Sequence, residues 1–170
     1  MISPIPSLTY SLADAPEDIS IVGGKAANLG RLIRAGFNVP EGFVIVADPN
    51  DAPPIQYESV VGIAIRAAYN RLGQGQVAVR SSATNEDGKA ASFAGLFHTL
   101  LGVEWSDDLL AACNRVRASV KSLAVEEYQR DLLLDLPRMA VIVQRMVDAR
   151  YSGIAFTCNP ITGDADVVVI

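Results

Sequence analysis

The sequence has little histidine and little cysteine. It contains one histidine and two cysteines, and Cys113 and Cys158 lie far apart and in no Cys-x-x-Cys pattern. Structural zinc sites and disulfide frameworks need such residues in larger numbers and at characteristic spacings. The sequence therefore indicates neither, and a reducing compartment is the simpler expectation.

Long apolar runs and an excess of basic residues are also absent. No stretch approaches the roughly 18 to 20 apolar residues that a membrane-spanning helix needs, and the first residues lack the basic segment of a secretory signal. There are 14 Lys and Arg residues against 19 Asp and Glu residues, and the net charge is −5. Nucleic acids are bound through accumulated positive charge. We therefore expect a cytoplasmic protein with no nucleic-acid partner and no membrane partner.

The hydrophobic residues, which make up 50% of the 170 residues, are enough to bury a core. Apolar residues at helical spacing predict helices after Gly24, over 61–72 and from Ser106, which we expect to be the N-cap of the third helix. Short apolar runs predict strands over 7–12, 42–47, 76–80, 96–103, 139–146 and 151–157. We therefore predict an α+β (α/β mixed) fold, with mixed sheets and flanking helices.

Residues 23–25, Gly-Gly-Lys, stand at a predicted helix start. The free N–H groups of a helix N-terminus and the helix dipole favour an anion, and a lysine adds a mobile positive charge. The motif is not the Gly-x-x-x-x-Gly-Lys-Ser/Thr signature of a phosphate-binding loop. The residues alone are equally consistent with a glycine turn followed by a solvated Lys25.

Arg80 closes an apolar strand and precedes a loop of small residues over 81–95. Strand alternation places it on the same side as Ala78, whose small side chain leaves room for the guanidinium. A guanidinium can hold phosphate oxygens through two parallel hydrogen bonds, and small loop residues let backbone amides approach a ligand closely. The alternative is an ion pair between Arg80 and Glu86 or Asp87.

Two further polar residues lie in or near apolar strands. His98 has no orienting partner near it in the sequence, so an ordinary side chain is favoured over a catalytic base or a phosphocarrier. Gln144 lies inside an apolar strand, where its amide must find partners or remain at a sheet edge. A contact with the edge of a purine is the functional alternative for Gln144.

Six short motifs follow one another along the chain. They are GGKAANLG (23–30), VPEGF (39–43), VRSSATNED (79–87), ASFAG (91–95), VQRM (143–146) and SGIAFT (152–157). In this order they resemble the N-terminal nucleotide-binding domain of the phosphoenolpyruvate synthase and pyruvate phosphate dikinase family. The similarity runs over about residues 21–163, which is nearly the whole chain.

The resemblance implies the first part of an ATP-grasp-like domain, in which ATP lies between two subdomains. Carried over by position, the residues that would bind ATP are Lys25 and Arg80 at the phosphates, Gly95 and Thr99 on the loop side of the nucleotide, and Gln144 at the adenine end. The loop after the arginine would cover the triphosphate. No residue of this chain is expected to be catalytic in its own right.

The resemblance also implies which parts of the reaction lie elsewhere. In the family, the carboxylates that hold Mg²⁺, the phosphohistidine domain and the acceptor-binding domain come later in the chain. We therefore expect residues 1–170 to be the N-terminal portion of the nucleotide-binding domain, truncated at its C-terminal end. ATP and Mg²⁺ are the expected cofactors, with the metal ligands outside this chain.

The activity implied by the resemblance is that of a dikinase-type phosphotransferase, which passes a phosphoryl group from ATP to a carrier histidine outside this chain. The final acceptor would be pyruvate, or a rifamycin or a glucan in other branches of the same superfamily. A free-standing, non-catalytic nucleotide-binding module is the alternative from another class of protein.

Overall fold

The computed structural model describes residues 7–48, 52–84, 87–88, 91–92, 97–121, 138–159 and 161–170, with the backbone alone for 87–88 and 91–92. The strands are β1 (Thr9–Ser11), β2 (Gly42–Asp48), β3 (Val77–Ala83), β4 (Asp87–Gly88), β5 (Ala91–Ser92), β6 (Thr99–Val103) and β7 (Met139–Arg145). The helices are α1 (Ile19–Arg34), α2 (Val60–Arg71) and α3 (Ser106–Ala118), and a 3₁₀ turn, Ser119–Lys121, follows α3.

Five of these strands form one sheet, in the order β1-β2-β7-β3-β6, and β4 and β5 form a separate small hairpin. Every pairing between these described strands is antiparallel. The predicted α+β class is therefore confirmed. None of the helices in the described part of the chain is long and apolar enough to cross a membrane.

The central strand β7 is apolar along almost its whole length because both of its faces are covered. Its first six residues are buried, and only Arg145 at its end is exposed. A strand that is buried on both faces reads as a continuous apolar run instead of an alternating one. The predicted strand over 139–146 is therefore confirmed, and its apolar run marks the middle of the sheet.

Helices cover the two faces of the sheet. On one face, which we call the α2–α3 face, side chains of α2 and α3 such as Ile65 and Leu109 pack with the strands in one large core. On the other, which we call the α1 face, Val22, Ala26 and Ala27 of α1 pack against Val44, Ala140 and Ile142 of the strands. The sheet is thus the middle layer of three, as expected for a mixed domain of this size.

The predicted helix start at the glycine pair is that of the second segment of α1, which restarts beyond a break at Gly23, and the predicted N-cap of the third helix is wrong. α1 begins at Ile19, before the glycine pair, because the Asp18 carboxylate accepts the Ser20 N–H at 2.8 Å and caps an earlier turn. Hydrogen bonds from Ser20 also hold the pKa of the Asp18 carboxyl below its ordinary value. Ser106 is the first residue of α3 and not its N-cap. Trp105 occupies the cap position, with no side-chain hydrogen bond to the helix.

The predicted end of one strand and the existence of another are also wrong. β3 runs on to Ala83, because its pairing with β7 continues to Met139, so the loop after Arg80 begins three residues later than predicted. The segment 151–157 is not a strand: its only pairing among the described residues is a single bridge between Phe156 and Val169. The predicted hairpin partner of β3 is present as β6.

Candidate functional site

The helix α1 breaks at Gly23, where it meets the end of β3. Gly23 has a φ of 74° and a ψ of 167°, which interrupts the helical backbone. A Cβ atom at this position would lie 2.0 Å from the carbonyl oxygen of Ser82, so only glycine fits both the backbone angles and the space. Because the helix restarts after the break, Lys25 stands in the first turn of the new segment.

The side chain of Ser82 joins the two sides of this break. Its buried hydroxyl donates a hydrogen bond to the Val22 carbonyl at 2.7 Å and accepts one from the Ala26 N–H at 3.0 Å. The Ala26 N–H, one of the N–H groups at the helix start that were expected to be free to bind an anion, is therefore already hydrogen-bonded within the protein. The same contacts fix the turn that carries Lys25 against the end of β3.

Lys25 contacts Ser81, the residue that follows Arg80 in β3. The Lys25 Nζ donates to the Ser81 Oγ at 3.5 Å. Arg80 lies opposite Ile142 of β7 in the strand register, and residues directly opposite each other share a face of the sheet. The Arg80 side chain is therefore on the α1 face, beside the turn that carries Lys25.

The guanidinium of Arg80 is exposed, and no hydrogen bond or ion pair joins it to another residue that the structure describes. Of the two acidic partners considered above, Glu86 lies outside the described residues, and only the backbone of Asp87 lies within them. An exposed arginine with its donors unused among the described residues suits an anion with several oxygens.

The other predicted residues lie on the same face, apart from one that is not described. Thr99 is exposed in β6, directly opposite Arg80. Gln144 lies in β7, where only 6% of it is exposed, and its Nε2 donates to the Pro40 carbonyl at 3.0 Å. Gly95 lies outside the described residues. The roles of these residues in binding stay predictions.

Two cavities in the described part of the chain lie apart from Lys25 and Arg80. A cavity of about 550 Å³ lies between β1, the end of α1 and α2, and another of about 410 Å³ lies beside α3 and residues 52–54. Neither cavity is lined by Lys25 or Arg80. The second cavity is also lined by basic residues, Arg115, Arg117 and Lys121, so the family motifs, and not volume or charge alone, single out Lys25 and Arg80.

The described residues contain no group of three or more His, Cys, Asp or Glu side chains that could hold a metal ion. Cys113 lies in the core of the α2–α3 face, where burial raises the pKa of its thiol to about 12. A thiol in that state is not a nucleophile at neutral pH. The chemistry that the described site supports is therefore the binding and positioning of an anion.

The sequence analysis missed Ser82 as a residue of this site. The signal was present in the two consecutive serines after Arg80, at positions where β3 pairs with β7 alone among the described strands. However, the role of Ser82 depends on α1 reaching the end of β3, and those residues are 60 positions apart. The spacing of residues within β3 does not carry that information.

Comparisons with known proteins identify the family. The family described as "pyruvate phosphate dikinase, AMP/ATP-binding domain" matches residues 56–170, a range that includes Arg80, Thr99 and Gln144. Because the match covers more than half of the chain, the chain belongs to this family.

Several characterised or named proteins are similar over most of the chain. The phosphoenolpyruvate synthase of Aeropyrum pernix is 33% identical over 89% of this chain, and a probable phosphoenolpyruvate synthase of Methanothermobacter thermautotrophicus is 33% identical over 90%. A prodigiosin-synthesizing transferase of Serratia marcescens is 35% identical over 88%. The matched regions are 24%, 29% and 19% of those three proteins. The chain therefore spans about a quarter of the length of these relatives.

Proposed function

We propose that this chain is the ATP-binding portion of a dikinase-type phosphotransferase that passes a phosphoryl group from ATP to a carrier histidine outside this chain. The observation that carries the proposal is Arg80, which is exposed on the α1 face, has no partner among the described residues and adjoins the serine that Lys25 contacts. The family's description, which names AMP and ATP as ligands, supports the nucleotide as the anion.

Phosphoryl transfer asks a protein mainly to position the phosphates and to neutralise their charge. The planar guanidinium of Arg80 can hold two oxygens of the triphosphate at once, and Lys25 adds a point charge that follows a moving phosphate. Ser82 would keep the lysine in range by fixing the break in α1. Mg²⁺, when bound, would neutralise further phosphate charge, and we expect its ligands outside this chain.

The rest of the nucleotide would lie across the α1 face. Thr99 stands directly opposite Arg80, and Gln144 lies in β7 on the other side of β3. Gly95, in the loop after β3, would complete the loop side of the site. These three residues extend the site from the phosphates toward the base.

The downstream partners in the proposed reaction are a phosphohistidine domain and an acceptor-binding domain of a longer protein. The length of the relatives supports further domains, since this chain matches only 19% to 29% of the three named above. We propose pyruvate as the final acceptor, because two of those relatives bear the name phosphoenolpyruvate synthase. No described residue favours a rifamycin, a glucan or a non-catalytic module, and we propose the cytoplasm as the location.

The test is the variant Arg80→Ala in the full-length protein, with ATP-dependent phosphorylation of the protein as the measurement. We expect the rate to fall at least about 100-fold, the scale of losing one preorganised group that binds developing charge. Arg71→Ala is the matched control, because Arg71 is also an exposed arginine but lies on α2, on the other side of the sheet. A rate for Arg80→Ala equal to that of the control would remove Arg80 from its assigned role.

A further inference from the structure

A second group of basic side chains lies on the α2–α3 face, around the cavity of about 410 Å³ beside the end of α3. Three of the chain's 14 Lys and Arg residues line this cavity: Arg115, Arg117 and Lys121. The one acidic residue among its described lining residues is Asp48. Positive charge is therefore concentrated here, although the chain as a whole has a net charge of −5.

An asparagine of α3 fixes one wall of this cavity. The Asn114 side chain accepts the Ile55 N–H at 2.7 Å and donates to the Ile55 carbonyl at 3.0 Å, which holds the segment 52–55 beside the helix. Pro53 and Pro54 restrict the backbone of that segment further. Sites for small molecules have volumes of about 300 to 1,000 Å³. The cavity therefore has a fixed wall and the size of a small-molecule site.

Arg117 belongs to the same wall and is not free to bind a ligand. Its Nη2 lies 2.8 Å from the Asp48 Oδ2, and its Nη1 donates to the Pro53 carbonyl at 3.5 Å. Only 13% of the Arg117 side chain is exposed, so solvent screens this ion pair less than one at the surface. The charges of Arg117 and Asp48 therefore offset each other within the wall.

The other two basic residues, Arg115 and Lys121, are unpaired within the described part of the chain. Both are exposed, and neither forms a hydrogen bond or an ion pair with another described residue. They lie six residues apart, which is about 9 Å along a helix axis. The small Ala118 lies between them, and the buried Val120 and Met139 also line the cavity. The cavity thus offers a cation at each end and an apolar surface in the middle.

We propose that this cavity binds a small organic dianion, which has an acidic group at each end of a short hydrocarbon body. The Arg115 guanidinium holds one carboxylate or phosphate through two parallel hydrogen bonds. The Lys121 ammonium attracts the other acidic group as a point charge, and the apolar lining contacts the carbon atoms. The site is separate from the one proposed for ATP, because Arg80 lies on the α1 face. The inference therefore does not rest on the proposed function.

The experiment measures equilibrium binding of three probes to the full chain by calorimetry at constant ionic strength. Succinate has two carboxylates, phosphonopropionate has a phosphonate in place of one of them, and propionate has a single carboxylate. We expect the dianions to bind at least about tenfold more tightly than propionate, because a second charge-assisted contact is formed. The tighter of the two dianions identifies the ligand as a dicarboxylate or a phosphorylated acid.

Variants locate the binding site. Arg115→Ala and Lys121→Ala should each weaken succinate binding about tenfold, since each removes one charged contact. Both side chains are exposed, so the fold should be retained, which circular dichroism checks. Arg71→Ala is the matched control, because Arg71 is an exposed arginine that does not line this cavity. This control and Arg80→Ala should both bind succinate as the wild type does.

Four outcomes overturn the inference. Equal affinities of the wild type for succinate and propionate would show that the cavity does not recognise two acidic groups. Equal losses in Arg115→Ala and Arg71→Ala would show that only net charge matters. A loss in Arg80→Ala without one in Arg115→Ala would place the dianion at the candidate phosphate site. If neither dianion binds at about 10 mM, weaker than specific small-molecule sites, the cavity is not such a site, and the proposed binding of ATP is unaffected.

Discussion

The two faces of the sheet differ in how completely they are covered. On the α2–α3 face, residues of both helices and of three strands, β2, β3 and β7, form one continuous buried core, against which half-buried side chains of β6 pack. On the α1 face, the helix covers Val44, Ala140 and Ile142, whereas Arg80, Thr99 and Leu101 remain exposed beside it. One side of the sheet thus provides most of the apolar burial, and the other leaves a surface on which a ligand can lie.

Strand β3 shows this division within seven residues. Val77 and Val79 point into the α2–α3 core and are fully buried, whereas Ala78 and Arg80 face the other way. Alternation of side chains along a strand makes it possible for one element to serve both faces. Substitutions on the two faces should therefore differ in whether they change stability or binding.

The largest expected effect on stability is at Leu109, which is completely buried in the α2–α3 core. Leu109→Ala removes apolar burial and leaves a cavity, so the free energy of unfolding should fall by about 2 to 5 kcal/mol. Urea denaturation followed by circular dichroism measures this. A loss below about 1 kcal/mol would mean that this face is not the tightly packed one.

A smaller loss is expected at Ser82, the polar anchor of the α1 face. Ser82→Ala leaves the Val22 carbonyl and the Ala26 N–H without the hydroxyl that now satisfies both, which should lower the free energy of unfolding by about 1 to 3 kcal/mol. Thr99→Ala, an exposed substitution on the same face, is the control and should cost less than about 0.5 kcal/mol. Equal losses in the two variants would contradict the role of Ser82.

A pH-dependent effect is expected at Cys113, inside the α2–α3 core. Burial raises its pKa from 9.0 to about 12, so above pH 9 the unfolded chain releases a proton that the folded chain retains. The contribution of the neutral thiol to the free energy of unfolding is complete below pH 9. It is lost as the pH rises toward 12, at about 1.4 kcal/mol per pH unit.

The measurement for Cys113 is the stability of the wild type and of Cys113→Ala between pH 8 and pH 10. The variant has no thiol to titrate, so the stability difference between the two proteins should narrow as the pH rises above 9. A difference that stays constant over this range would show that the thiol is not held in its neutral form by the core.

The smallest expected effect is at Leu101 on the α1 face. Because this side chain is 67% exposed, Leu101→Ala should change the free energy of unfolding by less than about 0.5 kcal/mol. A loss of stability near that of Leu109→Ala would show that Leu101 is part of a core.

Short windows of the sequence predicted the helices and strands whose apolar residues follow a regular local spacing. The apolar run of β7, the spacing of apolar residues in α2 and the hairpin of β3 with β6 are all visible in short windows of sequence. The family motifs added Lys25 and Arg80 as candidate ligands of the phosphates. Features that depend on contacts between distant segments were not predictable in this way.

Two such features matter for the site. The capping of an early turn by Asp18 moved the start of α1 ahead of the glycine pair, and a propensity argument that starts from Gly23 and Gly24 cannot find it. The bulge at Leu101 and Gly102 arises from the pairing of β6 with β3. A single glycine in a predicted strand only weakens the prediction of that strand.

The Ser82 hydroxyl bridges the break at Gly23. The final position of Lys25 therefore depends on when this contact forms during folding. The partners of the hydroxyl are 60 and 56 residues away from it along the chain, and closing so large a loop is slow compared with forming a helical turn. The helical segment after Gly23 therefore gains its anchor only when β3 docks. The lysine reaches its final place late, as a product of tertiary assembly.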